Sequence, residues 1–321
     1  MSHILYIVVP CYNEQEVLPE TSKRLFDKVK TLREQQKIDE KSRVLFVNDG
    51  SKDATWPIIR DLCESNPVYA GVNLSRNRGH QNALLAGITT AVAHADMIVS
   101  MDADLQDDID AMDEMIAAYE AGNDIVYGVR SSRQKDSFFK RNSAQLFYRL
   151  MKLLGAEVVY NHADYRLLSR RAAKALLSFD EVNLFLRGIV PMVGYPSTTV
   201  TYERGVRFAG KSKYPLGKMM TFAFEGITSL SIKPIRMITV VGLLVCVVSF
   251  IMLIKAFVDY FSGNVEPGWT SIIISIWVLG GLQLFAIGII GEYIGKTYME
   301  TKERPKFIIE SVLLREDNEV E

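Results

Sequence analysis

The chain has 321 residues, 23% of them charged, with a formal net charge of -1. The net charge tells little by itself, nothing in the sequence suggests nucleic acid, and three widely separated cysteines (Cys11, Cys63 and Cys246) read as ordinary thiols of a reducing compartment. A mean hydropathy of +0.08 is high for this charge content, and the excess lies near the C-terminus.

Residues 5–9 read as a first strand, ending at Pro10-Cys11-Tyr12-Asn13-Glu14. A helix with a polar, charged face is expected over 14–36. A second strand, 44–47, ends at Asn48-Asp49-Gly50-Ser51, and a helix follows over 54–64. The third strand, 69–74, ends at Ser75-Arg76-Asn77-Arg78-Gly79-His80 before an Ala- and Leu-rich helix, 79–94. The fourth, 97–101, runs into Asp102-Ala103-Asp104, with Gln106 close behind. A helix over 108–121 and a strand at 125–127 complete this part. Strands alternating with helices predict a parallel sheet covered on both faces.

The polar strand ends then lie together at the carboxyl edge of one sheet, where open α/β sheets bind ligands. Two carboxylates one residue apart point the same way on a strand. They can hold a divalent cation, and the cation can hold a diphosphate. Four such ends, rich in carboxylates and amides, predict a nucleotide pocket. His80, His94 and His162 lack metal-ligand spacing and read as structural.

Farther on, Arg207, Lys211 and Lys213 form a basic cluster. The stretch 214–232 places Leu216, Met219, Met220, Phe222, Phe224, Ile227 and Leu230 on a broad apolar face, as in a helix lying on a bilayer or one docked on the preceding domain. No charge interrupts 237–254 or 269–290. Spans over about 237–258 and 269–290 are each long enough for a hydrocarbon core of ~30 Å. Lys233 and Arg236 precede the first; Lys296, Lys302, Arg304 and Lys306 follow the second. The positive-inside rule puts both outer flanks, and the residues before 230, in the cytoplasm. Residues 4–9 are too short and lack the basic start of a signal peptide. Gly281, Gly288, Gly291 and Gly295 give the second span a small-residue face for close helix packing. The expected division is a catalytic domain at 1–213, an interfacial helix at 214–232, a two-span region at 233–295 and a cytoplasmic tail at 296–321.

Tyr12-Asn13-Glu14, Asn48-Asp49-Gly50-Ser51 and Asp102-Ala103-Asp104-Leu105-Gln106, in this order, resemble the family 2 inverting glycosyltransferases. Ala163-Asp164-Tyr165-Arg166-Leu167-Leu168, then Arg207-Phe208-Ala209-Gly210-Lys211-Ser212-Lys213-Tyr214 and two spans, look like the polyprenyl-phosphate members. Among these, the bactoprenol (undecaprenyl-phosphate) glucosyltransferase group is most similar and dolichyl-phosphate mannosyltransferases are related. The resemblance reaches about Ile309. It departs at Asn48, where many relatives carry a second aspartate.

The resemblance implies a GT-A fold, a Rossmann-like, mostly parallel α/β sheet. It implies nucleoside contacts from Pro10, Tyr12, Glu14 and Asp49, bordered by Arg76 and Gly79. Asp102 would bind the donor and the metal shell, and Asp104 and Gln106 the metal itself, Mg²⁺ or Mn²⁺. Arg130 would reach the phosphates or the sugar, Asp164 would stand beside the acceptor oxygen, and Arg207 and Lys213 would bind phosphate charge. The implied partners are a UDP-sugar donor, undecaprenyl phosphate, membrane lipids, a homo-oligomer such as a tetramer, a separate flippase and a second glycosyltransferase. The implied location is the bacterial plasma membrane, with the catalytic part cytoplasmic.

Two other classes predict different features. A processive polysaccharide synthase needs a Gln-X-X-Arg-Trp segment and more spans, but none of Trp56, Trp269 and Trp277 follows an arginine. A non-catalytic sugar-nucleotide scaffold would not need Asp102, Asp104, Asp164, Arg207 and Lys213 together. Transfer from GDP-mannose is the alternative to a UDP donor.

Overall fold

A computed structural model describes residues 2–131, 162–181, 185–203, 205, 233–262 and 268–315. The elements run β1 (Leu5–Cys11), α1 (Leu18–Glu34), β2 (Arg43–Asn48), α2 (Thr55–Ser65), β3 (Tyr69–Leu74), α3 (His80–Ala91), β4 (Met97–Ser100) and α4 (Ala111–Glu120). Then come β5 (Ile125–Arg130), β6 (His162–Ser169), α5 (Arg170–Leu177), α6 (Leu186–Met192), β7 (Ser197–Tyr202), α7 (Lys233–Phe261), α8 (Trp269–Thr301) and β8 (Ile309–Leu313).

The strands form one mixed sheet in the order β7-β5-β6-β4-β1-β2-β3-β8. β4, β1, β2 and β3 are parallel, joined by crossover helices, and their apolar sequences fit burial on both faces. β6 inserts antiparallel between β4 and β5. Side-chain alternation splits the core in two. Leu5, Ile7, Val9, Val44 and Phe46 pack with α1, α2 and α4 on one face. Tyr6, Val8, Leu45 and Val47 pack with α3, α5 and α6 on the other.

The alternation is held by ordinary local chemistry. α1 carries Pro19 in its first turn, where a missing N–H costs nothing, and buries Leu18, Leu25, Val29 and Leu32 at helical spacing. α3 lies so close to the sheet that a Cβ at Gly87 would overlap the methyls of Val8 and Val47. Gly50, at φ 61°, does two things at the site's rim. It takes a left-handed turn, and it lets the Arg76–Asn77 backbone lie directly against it.

α7 and α8 are long and apolar enough to cross a membrane. At 29 and 33 residues they reach roughly 43 and 50 Å at 1.5 Å per residue. Their apolar windows, Ile235–Met252 and Val278–Thr301, are not buried by the rest of the chain. α8 runs past the expected end at 290 to Thr301 as one helix. Beyond it the chain returns to the sheet: β8 pairs antiparallel with β3, Gly71 opposite Leu313 and Leu74 opposite Ile309. Part of the segment read from sequence as a tail is therefore a strand of the main sheet. The expected interfacial helix at 214–232 lies outside the described residues.

Candidate active site

The parallel strands deliver their polar ends to one edge, as the sequence pattern predicts. Asn13 sits at φ 54°, a left-handed conformation that asparagine tolerates better than most residues. Its Oδ1 accepts from the Lys52 N–H at 2.9 Å, and its own N–H donates to Ser51 Oγ at 3.0 Å. The Glu14 N–H donates to Thr55 Oγ1 at 2.9 Å, so the β1 and β2 ends brace each other. Tyr12 stays 37% exposed, its ring open to a ligand. Pro10 ends inside the sheet, beside Val47.

Asp49 is 2% exposed. Its Oδ1 accepts from the Arg78 N–H at 2.7 Å and its Oδ2 from the Gly79 N–H at 2.9 Å. Burial raises its pKa, and these two bonds oppose that. The carboxylate thus shapes the β3–α3 turn that carries Arg76, which is exposed, and Gly79, at φ 88°. A carboxylate has further lone pairs for a ligand donor.

The departure at Asn48 has a physical account. Its Nδ2 donates to Asn73 Oδ1 at 2.7 Å, and Asn73 Nδ2 donates to Glu310 Oε2 at 2.8 Å. A carboxylate at 310 only accepts, so Asn73 must turn its amide nitrogen outward and its oxygen inward. The buried residue facing that oxygen must then be a donor, which asparagine is and an ionised aspartate is not.

β4 ends at Ser100, before the acidic triplet. Asp102 and Asp104 therefore sit on a loop, and the strand geometry predicted for them does not apply. The loop turns through Leu105 at φ 56°, a strained conformation for a leucine. It is held by Thr21 Oγ1 on the Ala103 carbonyl at 2.8 Å and by the Gly205 N–H on the Gln106 carbonyl at 2.8 Å. Asp104 Oδ1 accepts from the Gln106 N–H at 3.2 Å. Asp102 lies in a recess with 36% of its side-chain surface open. That recess, and the charges of Asp107, Asp164 and Asp104, push its pKa up to about 6 against the opposing pull of His80.

Among the described residues no three His, Cys, Asp or Glu side chains form a ready-made cation cage. The donor set still fits Mg²⁺ or Mn²⁺. Such ions commonly take one or two carboxylates and complete their shell with substrate phosphates and water. Burial raises the Asp102 pKa first and the neighbouring carboxylates add to it, and a divalent cation bound there would favour the ionised form.

Asp164, on β6, has 18% of its side chain exposed and faces the same recess. Its Oδ1 pairs with Arg166 Nη2 at 2.6 Å and its Oδ2 with Arg187 Nη2 at 3.0 Å. His80 Nε2 lies 3.5 Å from Asp102 Oδ1 and 3.9 Å from Asp164 Oδ2, bridging the two carboxylates. Burial alone would raise the Asp164 pKa. Arg187, Arg166 and His80 outweigh it and hold the group well below the usual carboxylate range.

Arg130 closes another side. Its Nη2 lies 3.4 Å from Asp107 Oδ1, which also accepts from the Tyr202 hydroxyl at 2.5 Å. Arg207 and Lys213 lie outside the described residues. The structure thus brings Tyr12, Glu14, Asp49, Gly79, Asp102, Asp104, Gln106, Arg130 and Asp164 to one sheet edge. It adds four residues that sequence reasoning missed: His80, Asp107, Arg166 and Arg187. His80 lacks ligand spacing and reads as structural in the sequence, yet the helix start places it between two carboxylates. For Arg187 the available signal was a lone charge within the apolar run 184–190.

The family model described as Glycosyl transferase family 2 matches residues 6–177. The glycosyltransferase YkoT of Bacillus subtilis (strain 168) is 52% identical over 313 residues, 98% of this chain and 93% of that protein. A prophage bactoprenol glucosyl transferase homolog of Escherichia coli (strain K12) is 40% identical over 309 residues, 95% of this chain and 98% of that one. The bactoprenol glucosyl transferase of Shigella phage SfV is 40% identical over 311 residues, 95% and 97% of the two chains. Among solved structures, glucosyl-3-phosphoglycerate synthase from Mycobacterium tuberculosis in complex with Mn²⁺, UDP and phosphoglyceric acid aligns at 15% identity and a TM-score of 0.47, over 71% of this chain and 77% of that one.

Proposed function

The chain belongs to glycosyl transferase family 2, and from that premise we propose that it transfers one sugar from a UDP-sugar to undecaprenyl phosphate at the cytoplasmic face of a bacterial plasma membrane. Glucose is the favoured sugar and N-acetylglucosamine the next. The observation that carries the reading is the pairing of the Asp102–Asp104 loop with a carboxylate, Asp164, held ionised by two guanidiniums. Near-full-length similarity to bactoprenol glucosyl transferases supports the acceptor class. The two unburied apolar helices support placement at the membrane.

In this reading Tyr12 and Glu14 line the nucleoside, and Asp49 reaches the base while fixing the Arg78–Gly79 turn that borders it. Arg76 completes that wall, while Pro10 supports it from inside the sheet. Asp102, Asp104 and Gln106 would hold the divalent ion, whose chemistry there would be to stabilise the oxyanion of the departing diphosphate. Arg130, aimed by Asp107 and Tyr202, faces the same phosphates.

The acceptor attacks the anomeric carbon from the face opposite the leaving diphosphate, so the configuration inverts. A phosphate monoester has a second pKa of about 6, so much of it is dianionic at neutral pH and needs no strong base. A carboxylate held below its usual range is a poor proton acceptor. Asp164 therefore orients the acceptor and stabilises the positive charge that develops on the sugar. Arg207 and Lys213 offset the repulsion between acceptor phosphate and diphosphate.

The product is a β-linked lipid-phosphate sugar. A separate flippase and a second glycosyltransferase would use it to decorate a surface polysaccharide, and the chain would work as a homo-oligomer such as a tetramer. The test supplies the purified protein in detergent with undecaprenyl phosphate, Mn²⁺ and labelled UDP-glucose, UDP-N-acetylglucosamine or GDP-mannose in separate tubes. Label reaching the organic phase from a UDP-sugar supports the reading. Label only from GDP-mannose overturns the donor, and no label from any of them overturns the reaction.

A further inference from the structure

Asp164 is gripped by two arginines that differ in origin and geometry. Arg166 comes from the same strand, two residues along, is 1% exposed, and meets Oδ1 through Nη2. Its Nε and Nη1 are buried without a hydrogen-bond partner among the described residues. Arg187 comes from α6 and meets the carboxylate as a fork, Nε to Oδ1 at 3.3 Å and Nη2 to Oδ2 at 3.0 Å. Among the described residues, Arg187 alone hydrogen-bonds both oxygens.

The platform behind that fork is packed into the core. Leu186, Ile189 and Val190 of α6 are core residues. The Leu186 N–H donates to Gln81 Oε1 on α3 at 2.8 Å, and α3 also carries His80. A carboxylate held at one oxygen can turn about its Cβ–Cγ bond, whereas a planar two-point pairing sets its plane. Arg166 alone leaves that rotation open.

We propose that Arg187 is the positioning residue that fixes the plane of the Asp164 carboxylate and so sets how that carboxylate orients the acceptor phosphate. The phosphate half of this statement rests on the transfer reading above; the positioning half stands on the contacts alone. The depressed pKa of Asp164, to which Arg187 is the largest charge contributor, agrees with it.

The test compares full-length wild type, Arg187→Lys and Arg187→Gln in detergent, with thermal midpoints checking that each variant folds. Arg187→Gln removes charge and fork and is expected to lower kcat about 100-fold, while the KM for the UDP-sugar stays within about twofold. Arg187→Lys keeps the charge but offers a single point. It is expected to lose about 10-fold in kcat while raising the acceptor KM less than Arg187→Gln does. Independently of turnover, ¹³Cγ-aspartate NMR, with the signal assigned through Asp164→Asn, should show Asp164 titrating nearer the ordinary carboxylate range in Arg187→Gln.

An Arg187→Gln protein with near-normal kcat and an unmoved Asp164 titration overturns the proposal. So does a parallel loss of donor binding, stability and kcat in both variants, which marks a structural role. If the wild type transfers no sugar, the transfer reading fails by itself, and the NMR titration still decides the positioning role.

Discussion

Replacing Asn48 by aspartate tests the amide chain at the pocket's rim. In Asn48→Asp, an ionised carboxylate meets the Asn73 oxygen 2.7 Å away, and Asn73 cannot flip without turning that oxygen on Glu310. The site is 3% exposed, so the loss approaches that of a buried hydrogen bond with an acceptor left unpaired, about 1–3 kcal/mol. Glu310 is exposed, so a value near the lower end applies. At about 2–4 °C per kcal/mol for a domain of about 200 residues, the thermal midpoint should fall by roughly 2–5 °C. The second half is a rescue. In Asn48→Asp with Glu310→Gln, the new amide can donate outward, Asn73 can flip, and its Nδ2 can face the carboxylate introduced at position 48. Thermal unfolding in detergent of the wild type, both single variants and the double variant closes the cycle, with an expected coupling of about 1 kcal/mol. An Asn48→Asp variant as stable as wild type, or a cycle that adds without coupling, refutes the reasoning.

Three further outcomes concern the site. Asp104→Ala should abolish metal-dependent transfer while leaving membrane insertion and the thermal midpoint without metal intact; full activity would remove Asp104 from the metal site. Lys213→Ala should raise KM for a phosphate-bearing substrate without unfolding the protein, and unchanged kinetics for both substrates would count against it. Asp164 has a depressed folded pKa. Its stabilising ion pairs are therefore complete above the ordinary aspartate value of about 3.9 and are lost only as pH falls through the lower folded value. A pH–rate profile should consequently show no acid limb from Asp164 between about pH 5 and 7, and a limb there that disappears in Asp164→Asn would contradict the assignment.

The parallel half is legible because each of its elements announces itself locally. Apolar runs such as Leu5–Cys11 and Arg43–Asn48 stop at polar turns, and helices between them bury one face. β6 reads in the sequence as a motif and not as a strand, because Asp164 and Arg166 interrupt its apolar pattern. They are tolerated there because Asp164 pairs with both Arg166 and Arg187. β8 is a short stretch without clear alternation in its sequence, and nothing local tells that it returns to β3 after two long apolar helices. Of the site, the acidic loop and Asp164 are readable by motif. Arg187 and His80 are not, because they reach Asp164 through tertiary placement of helix starts more than 20 residues away in sequence, at Arg187 on α6 and His80 on α3.

That returning strand carries the last prediction. The Ser75 N–H donates to the Ile308 carbonyl at 3.0 Å, and Arg78 donates from Nε to the Lys306 carbonyl at 2.8 Å and from Nη2 to the Pro305 carbonyl at 2.5 Å. Lys306 in turn donates to the Phe179 carbonyl at 2.6 Å. The turn whose N–H groups bind Asp49 is thus fastened to the segment leaving α8, the apolar helix. Arg78→Ala removes only the fastening, since the Arg78 and Gly79 N–H groups remain. Charged hydrogen bonds contribute about 1.5–3 kcal/mol. With Arg78 partly open to solvent, about 1 kcal/mol should reach the donor pocket, weakening UDP binding roughly fivefold with kcat nearly unchanged. Calorimetric titration with UDP and Mn²⁺ measures the first and saturating turnover the second. Hydrogen exchange over residues 75–79 should rise in parallel. Unchanged UDP affinity with faster exchange would show that the strap orders the turn without serving the pocket, and would refute the link between the helix and the donor site.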